Sequence, residues 1–279
     1  MAALTDLSDI VNRLTGGNNG TPEHVFCWVD SRIGGAAAAA TVAGRMTSLW
    51  QYNKAPGGQG AVPTSAAVPD NGTAGGLFQT APGGGREKWL LGMVGTASAA
   101  GTLLLYDRLL HNGGLSGTVT TAQTVGGTLT RNTGGAGNQI WVEIYTQIGT
   151  TATTITASYT NQAGTSGRTT KAVAFGGTGQ REAERIIPLP LQDGDTGVQA
   201  VASVTVLATT TTAGNFGVTI ARPLLVVPVV AAAAGTQRDL IAGLPEVKEI
   251  DADACLTLAW LANTTTAPQC IVSLSTVEK

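Results

Sequence analysis

The spacing of apolar and polar positions changes period once along the chain. In LTDLSDIVNRLTGG, Leu4, Leu7, Val11 and Leu14 fall on one stripe of a 3.6-residue repeat; Thr5 or Asp6 can cap the start and Gly16-Gly17 ends it. This predicts a short amphipathic helix. Beyond it the period falls to two. In TTITASYT, Ile155, Ala157 and Tyr159 lie on one face and Thr154, Thr156, Ser158 and Thr160 on the other, the mark of a half-buried strand. Similar runs recur between Gly, Asn and Asp turns: HVFCWVDSRIG, RMTSLWQYN, KWLLGMV, GTLLLYDRLL, GTVTTAQTV, IWVEIYTQI, TTKAVAF, RIIPLPL, VQAVASVTVLA, NFGVTIARPLLVV, ACLTLAWLA and QCIVSLSTV. Strands without helices between them predict an all-β fold, an antiparallel β-sandwich of jelly-roll type, with a short N-terminal helix and a long Gly/Pro-rich loop. The division expected is an N-terminal helical arm over 1–20 and a sandwich domain over 21–279.

Residues 54–86 break the period. The stretch is dense in Gly and Pro and almost uncharged, and it carries Val62, Val68, Leu77 and Phe78. An apolar loop of that length needs a surface to lie on, and a helix of fewer than about 15 residues needs tertiary packing. Leu4, Leu7, Val11 and Leu14, with Val62, Val68, Leu77 and Phe78, are therefore the expected contacts to another subunit or partner, although docking of the helix on its own domain is the simpler outcome.

Composition narrows the function classes. Only 12% of residues are charged and 5% are aromatic, while 43% are hydrophobic and 38 are Gly. Small side chains of this kind suit closely approaching strands and subunit contacts. A net charge of −2 gives no field to hold nucleic acid. No apolar run is long enough to span a bilayer as a helix, and the first residues lack the basic and apolar regions of a signal peptide.

Candidate chemistry is sparse. Cys27, Cys255 and Cys270 are odd in number and lack metal-ligand spacing; if Cys255 and Cys270 bracket a hairpin, its register keeps them apart, so three buried free thiols are expected. Asp195-Thr196-Gly197 matches the triplet of aspartic proteases, but no second copy occurs, and the expected role of DGD is a turn whose carboxylates bond local N–H groups. A calcium loop lacks its distal Glu. His111 stands near Asp107 and Ser116 without a nucleophile elbow, and Asp107-Arg108 reads as a salt bridge at a strand end. Arg181, Glu182, Glu184 and Arg185 read as a solvated connection, and Trp50, Tyr52, Trp89 and Trp141 as core or interface anchors before a sugar platform. No catalytic residue, metal or cofactor is expected.

Three segments carry a resemblance: LLLYDRLLHNGGLSGTVTTAQTV, TITASYTNQAGTSGRTT and LPLQDGDTGVQAVASVTVLATTTTAGNFGVTIARPL. Over residues 86–228 the chain resembles structural proteins of tailed double-stranded DNA bacteriophages. The resemblance implies a β-sandwich built into the virion after assembly in the host cytoplasm, with no catalytic residue to carry over. It points to a head decoration or cement protein partnered by itself, as a homo-oligomer and a trimer first, and by the major capsid protein. The alternative is a tail-associated carbohydrate- or receptor-binding protein.

Overall fold

The computed structural model describes residues 7–16, 21–30, 41–52, 58–83, 86–239 and 248–278; Leu4 and the other remaining positions lie outside them. In chain order the elements are α1 (Leu7–Leu14), β1 (Thr21–Asp30), β2 (Met46–Ser48), a 3-10 turn (Trp50–Tyr52), β3 (Lys88–Ala97), β4 (Gly101–His111) and β5 (Gln123–Thr124). They continue with β6 (Gln139–Thr146), β7 (Thr153–Asn161), β8 (Arg168–Thr169), β9 (Val173–Phe175), β10 (Arg185–Leu189) and β11 (Val198–Val206). The last are β12 (Asn215–Val229), β13 (Thr236–Asp239), β14 (Lys248–Ile250), β15 (Leu256–Ala262) and β16 (Gln269–Glu278).

The protein is all-β and its strand pairs are antiparallel. The pairing describes a closed six-stranded barrel, β10-β2-β15-β4-β12-β6, with a five-stranded sheet on either side. The first sheet runs β1-β16-β3-β13, with β14 also on β3; the second runs β5-β11-β7-β8, with β9 also on β7. Closure removes the free edges that an open sheet of these strands would expose.

Two apolar cores hold the sheets to the barrel. Leu103, Leu105, Val227, Leu258 and Trp260 of the barrel meet Val25, Cys27, Met93, Cys270 and Val272 of the first sheet. Ile140, Val142, Ile144, Phe216 and Val218 meet Ile155, Ala157, Tyr159, Val201 and Val204 of the second. The period-two expectation for β7 is met: Ile155, Ala157 and Tyr159 are buried and the alternating Thr and Ser positions half-exposed.

The expected hairpin over 255–270 is not formed. β15 pairs with β2 and β4 in the barrel, while β16 pairs with β1 and β3 in the first sheet. The two strands face each other across the first core from different sheets, so Cys255 and Cys270 never share a ladder. None of the three cysteines is in a disulfide, and all three are buried.

The long loop lies on its own chain. Ala67 bridges His111, and the Trp50 indole donates to the Ala61 carbonyl at 2.8 Å. Glu23 of β1 accepts from the Thr80 amide at 2.8 Å and pairs with Lys88 of β3 at 2.6 Å, which pins the loop's far end. Leu77 is 2% exposed in the first core and Val68 packs on the second, so both belong to this domain and not to a partner. Val62 is half-buried; Phe78 remains at the surface.

Candidate functional site

The polar chemistry gathers inside the barrel. On β4 and β6, alternate residues point outward to the two cores, which leaves Tyr106, Arg108, Trp141 and Glu143 on the opposite, inward face. Tyr106 and Trp141 meet edge to face at 4.7 Å, surrounded by Ile186, Ala221 and Ala259 from three further strands. Beyond this apolar layer Arg108 and Glu143 form an ion pair at 2.6 Å, with both side chains at most 1% exposed. Thr219 donates to Glu143 Oε2 at 2.8 Å, and the Tyr145 hydroxyl stands 3.0 Å from Arg108 Nη2. Trp50 lies under the guanidinium, 4.5 Å from ring centre to Cζ.

Glu184 adds a second carboxylate to this layer. Its backbone holds a left-handed φ of 64°, with its N–H donated to the Ile144 carbonyl at 2.6 Å and its carbonyl accepting from Ser48 at 2.7 Å. Gln51 donates to Oε1 at 2.7 Å, while Oε2 is buried without a hydrogen-bond partner. Burial, and then the Glu143 charge, raise the Glu184 carboxyl well above its ordinary range. Burial also opposes ionisation of Glu143, but Arg108 and its hydrogen bonds outweigh it and the carboxyl sits below its ordinary value. His111 receives the Arg108 Nε–H at Nδ1, 2.9 Å away; burial and the neighbouring cation depress its pKa to about 3, leaving it neutral.

A raised and a lowered carboxyl side by side form the pairing that acid–base catalysis uses. Here the pair faces a sealed interior. Glu143 and Glu184 are 1% and 0% exposed, and a cleft of about 230 Å³ lined by Met46, Ile186, Pro188 and Leu261 includes neither of them. Asp107 points the other way, to a bidentate pair with Arg131 at 2.8–3.2 Å. Thus Asp107 and Arg108 do not pair with each other: as neighbours on a strand they face opposite sides. Nor are Glu184 and Arg185 a solvated connection, being 0% and 1% exposed. Their charge density in the sequence was the available signal, and Glu182 does pair with Arg185 at 3.5 Å; the distant partner of Glu184, Gln51, was not visible there.

Asp195 also takes a structural position. Its carboxylate accepts from Tyr159 at 2.5 Å, Asn161 at 2.7 Å and Arg168 at 2.9 Å, which lowers its pKa to about 2 through the Tyr159 and Arg168 bonds above all. It therefore ties the turn to β7 and β8, where local amide capping was expected. Beside it, residues 137–140 and 188–196 line an open cleft of about 550 Å³. Ser116 Oγ stands 2.9 Å from Thr118 Oγ1, and no triad with His111 forms. Trp50, Tyr52 and Trp141 are 1% exposed, which removes them from any sugar platform; Trp89 is half-buried beside α1. Among the described residues no three His, Cys, Asp or Glu side chains are grouped to hold a metal ion, and no helix is long and apolar enough to cross a membrane.

The outer face of the first sheet is the opposite of the barrel interior. Phe26, Trp28, Val94 and Ile271 stand 56%, 41%, 42% and 46% exposed. The register sets Trp28 opposite Ile271 and Thr96 beyond it, then Phe26, Ser273 and Val94 in the adjacent row. α1 docks at the end of this face through Ile10, which packs on Leu91 and Val277 with Trp89 alongside. The expected stripe is not the docked one: Leu7, Val11 and Leu14 remain 59%, 51% and 41% exposed and wall a groove of about 540 Å³ against Val94. Ile10 and Arg13, one turn apart, form the buried side, with Arg13 paired to Asp9 at 3.0 Å. No protein family, curated protein or solved structure matches this chain.

Proposed function

We propose that this chain is a non-enzymatic, self-associating structural protein of a bacteriophage particle, a head decoration or cement protein seated on the capsid lattice. The observation that carries the reading is the distribution of its chemistry. The ionic groups that could do catalytic work are buried inside the barrel, with Arg108 and Glu143 paired to each other, while an apolar face of the first sheet and α1 is turned to solvent. A subunit held by buried area needs the second feature and has no use for an accessible version of the first. The sequence resemblance over residues 86–228 supplies the class of assembly. With it goes the finer fold reading, in which the barrel and its flanking sheets elaborate a jelly-roll sandwich.

The test is the position and copy number of the chain in purified particles. Many copies on the head are expected. A few copies at a tail tip would replace this reading with receptor binding, and absence from the particle would overturn it.

A further inference from the structure

We infer that the outer face of the first sheet and the adjoining exposed side of α1 pack against the same face of a second copy of this chain, about a two-fold axis. The pairing does not depend on the particle location proposed above.

The exposed residues are contiguous. Trp28 and Ile271 sit opposite each other on β1 and β16, Phe26 and Val94 follow in the next row, and Leu7 and Val11 continue the surface across the groove. At their fractional exposures these six side chains leave roughly 600 Å² of surface, taking about 150–250 Å² for a whole aromatic residue. Isolated monomers rarely expose an apolar patch beyond a few hundred Å². One side of a standard interface buries about 800 Å², of which roughly 65% is apolar in a homodimer. The patch therefore supplies what one half of such a dimer requires.

Its chemistry selects the occupant. The positions between the apolar side chains are Thr96, Ser273, Ser275, His24 and Gln237, and one carboxylate, Asp239, also lines the groove. A charged or strongly polar partner would lose hydration against this face without gaining a counter-charge. A second copy brings the same neutral apolar surface, and a two-fold axis sets the apolar rows of one against those of the other without further design.

The experiment is sedimentation equilibrium on the full chain across a micromolar range. A dimer is expected. Phe26→Asp on β1 and Val11→Asp on α1 should each raise the dimer dissociation constant at least about tenfold, as the loss of a central apolar anchor does. Because these side chains are exposed, the melting temperature of each variant's monomer should match that of diluted wild type. Leu207→Asp, at a position 75% exposed just after β11 in the second sheet, should leave the dimer intact. A wild-type monomer, a trimer (which two-fold pairing cannot generate), or an oligomer indifferent to Phe26→Asp and Val11→Asp would each overturn the pairing. A dimer absent from any particle would leave it standing and remove the proposed function; a particle protein that is monomeric in solution would do the reverse.

Discussion

Arg108 and Glu143 are adjacent in space only because β4 and β6 flank β12 in the closed barrel. At the scale of single residues their interior location makes the two carboxyls near Arg108 unequal. Glu143 is held below its ordinary value and compensates the cation; Glu184 is raised well above its own because burial and the Glu143 charge disfavour a second anion. Glu143→Gln should therefore leave a buried guanidinium uncompensated and lower the stability by about 3–5 kcal/mol. Glu184→Gln removes a carboxyl whose charged form is disfavoured there, keeps nearly the same shape, and should be neutral or stabilising near pH 7. The pH dependence gives the sign. A carboxyl whose pKa is higher in the folded chain contributes most below its unfolded value, near 4.5, and that contribution is lost as pH rises through the folded value. Urea unfolding of wild type and Glu184→Gln should diverge as pH rises above about 5, with the variant gaining relative stability. Equal slopes would show that the Glu184 carboxyl is not raised in the fold.

At the scale of elements, β12 shows how composition and pairing accommodate one another. It pairs with β6 up to Ala221 and with β4 from Thr219 onward, so only Thr219, Ile220 and Ala221 are laddered on both sides; beyond them it pairs with β4 alone, and Pro223 and Pro228 both fall there. A proline donates no ladder bond, so it fits where one edge of the strand is unpaired. Pro188 on β10 follows the same rule, since β2 pairs only with Arg185 and Ile186 of that strand. Gly217 does the opposite work in the earlier part of the strand, where β6 is its ladder partner and the turn after β4 presses close. A Cβ there would stand 1.7 Å from the Asn112 carbonyl oxygen and 2.9 Å from Gly113 Cα, both backbone atoms with no rotamer to give way. Gly217→Ala should lower stability by about 3 kcal/mol or more by forcing the turn after β4 away from the barrel. Gly83→Ala, where nothing lies within 4 Å, should change it by less than about 0.5 kcal/mol. Urea midpoints of the two variants make the comparison.

At the scale of the whole molecule, the three thiols report whether the cores stay closed. Cys27 and Cys270 lie in the core between the first sheet and the barrel, and Cys255 lies beside β15. Burial pushes Cys27 and Cys255 up to about 12 and raises Cys270 as well, so the reactive thiolate is scarce in the fold. A disulfide-exchange reagent at pH 8 should titrate none of them in the native protein and all three in denaturant. Fast reaction of one thiol in native buffer would mean that its sheet opens without global unfolding. The helix, the majority of the strands and the burial of the cysteines were legible in the sequence, because periods of 3.6 and two, and punctuation by Gly and Pro, are properties of a few consecutive residues. The short β13 and β14, TQRD and KEI, carry no apolar alternation, and they exist as strands because β3 offers an edge. Strand partners, barrel closure, the Arg108–Glu143 pair and the exposure of Leu7, Val11 and Leu14 were decided by the tertiary structure alone. Each depends on which distant segment comes to rest against a residue: the burial of Ile10 requires Leu91 and Val277, and the burial of Glu184 requires Gln51 and β6. Local pattern determines which faces must be covered, and packing across the whole chain determines what covers them.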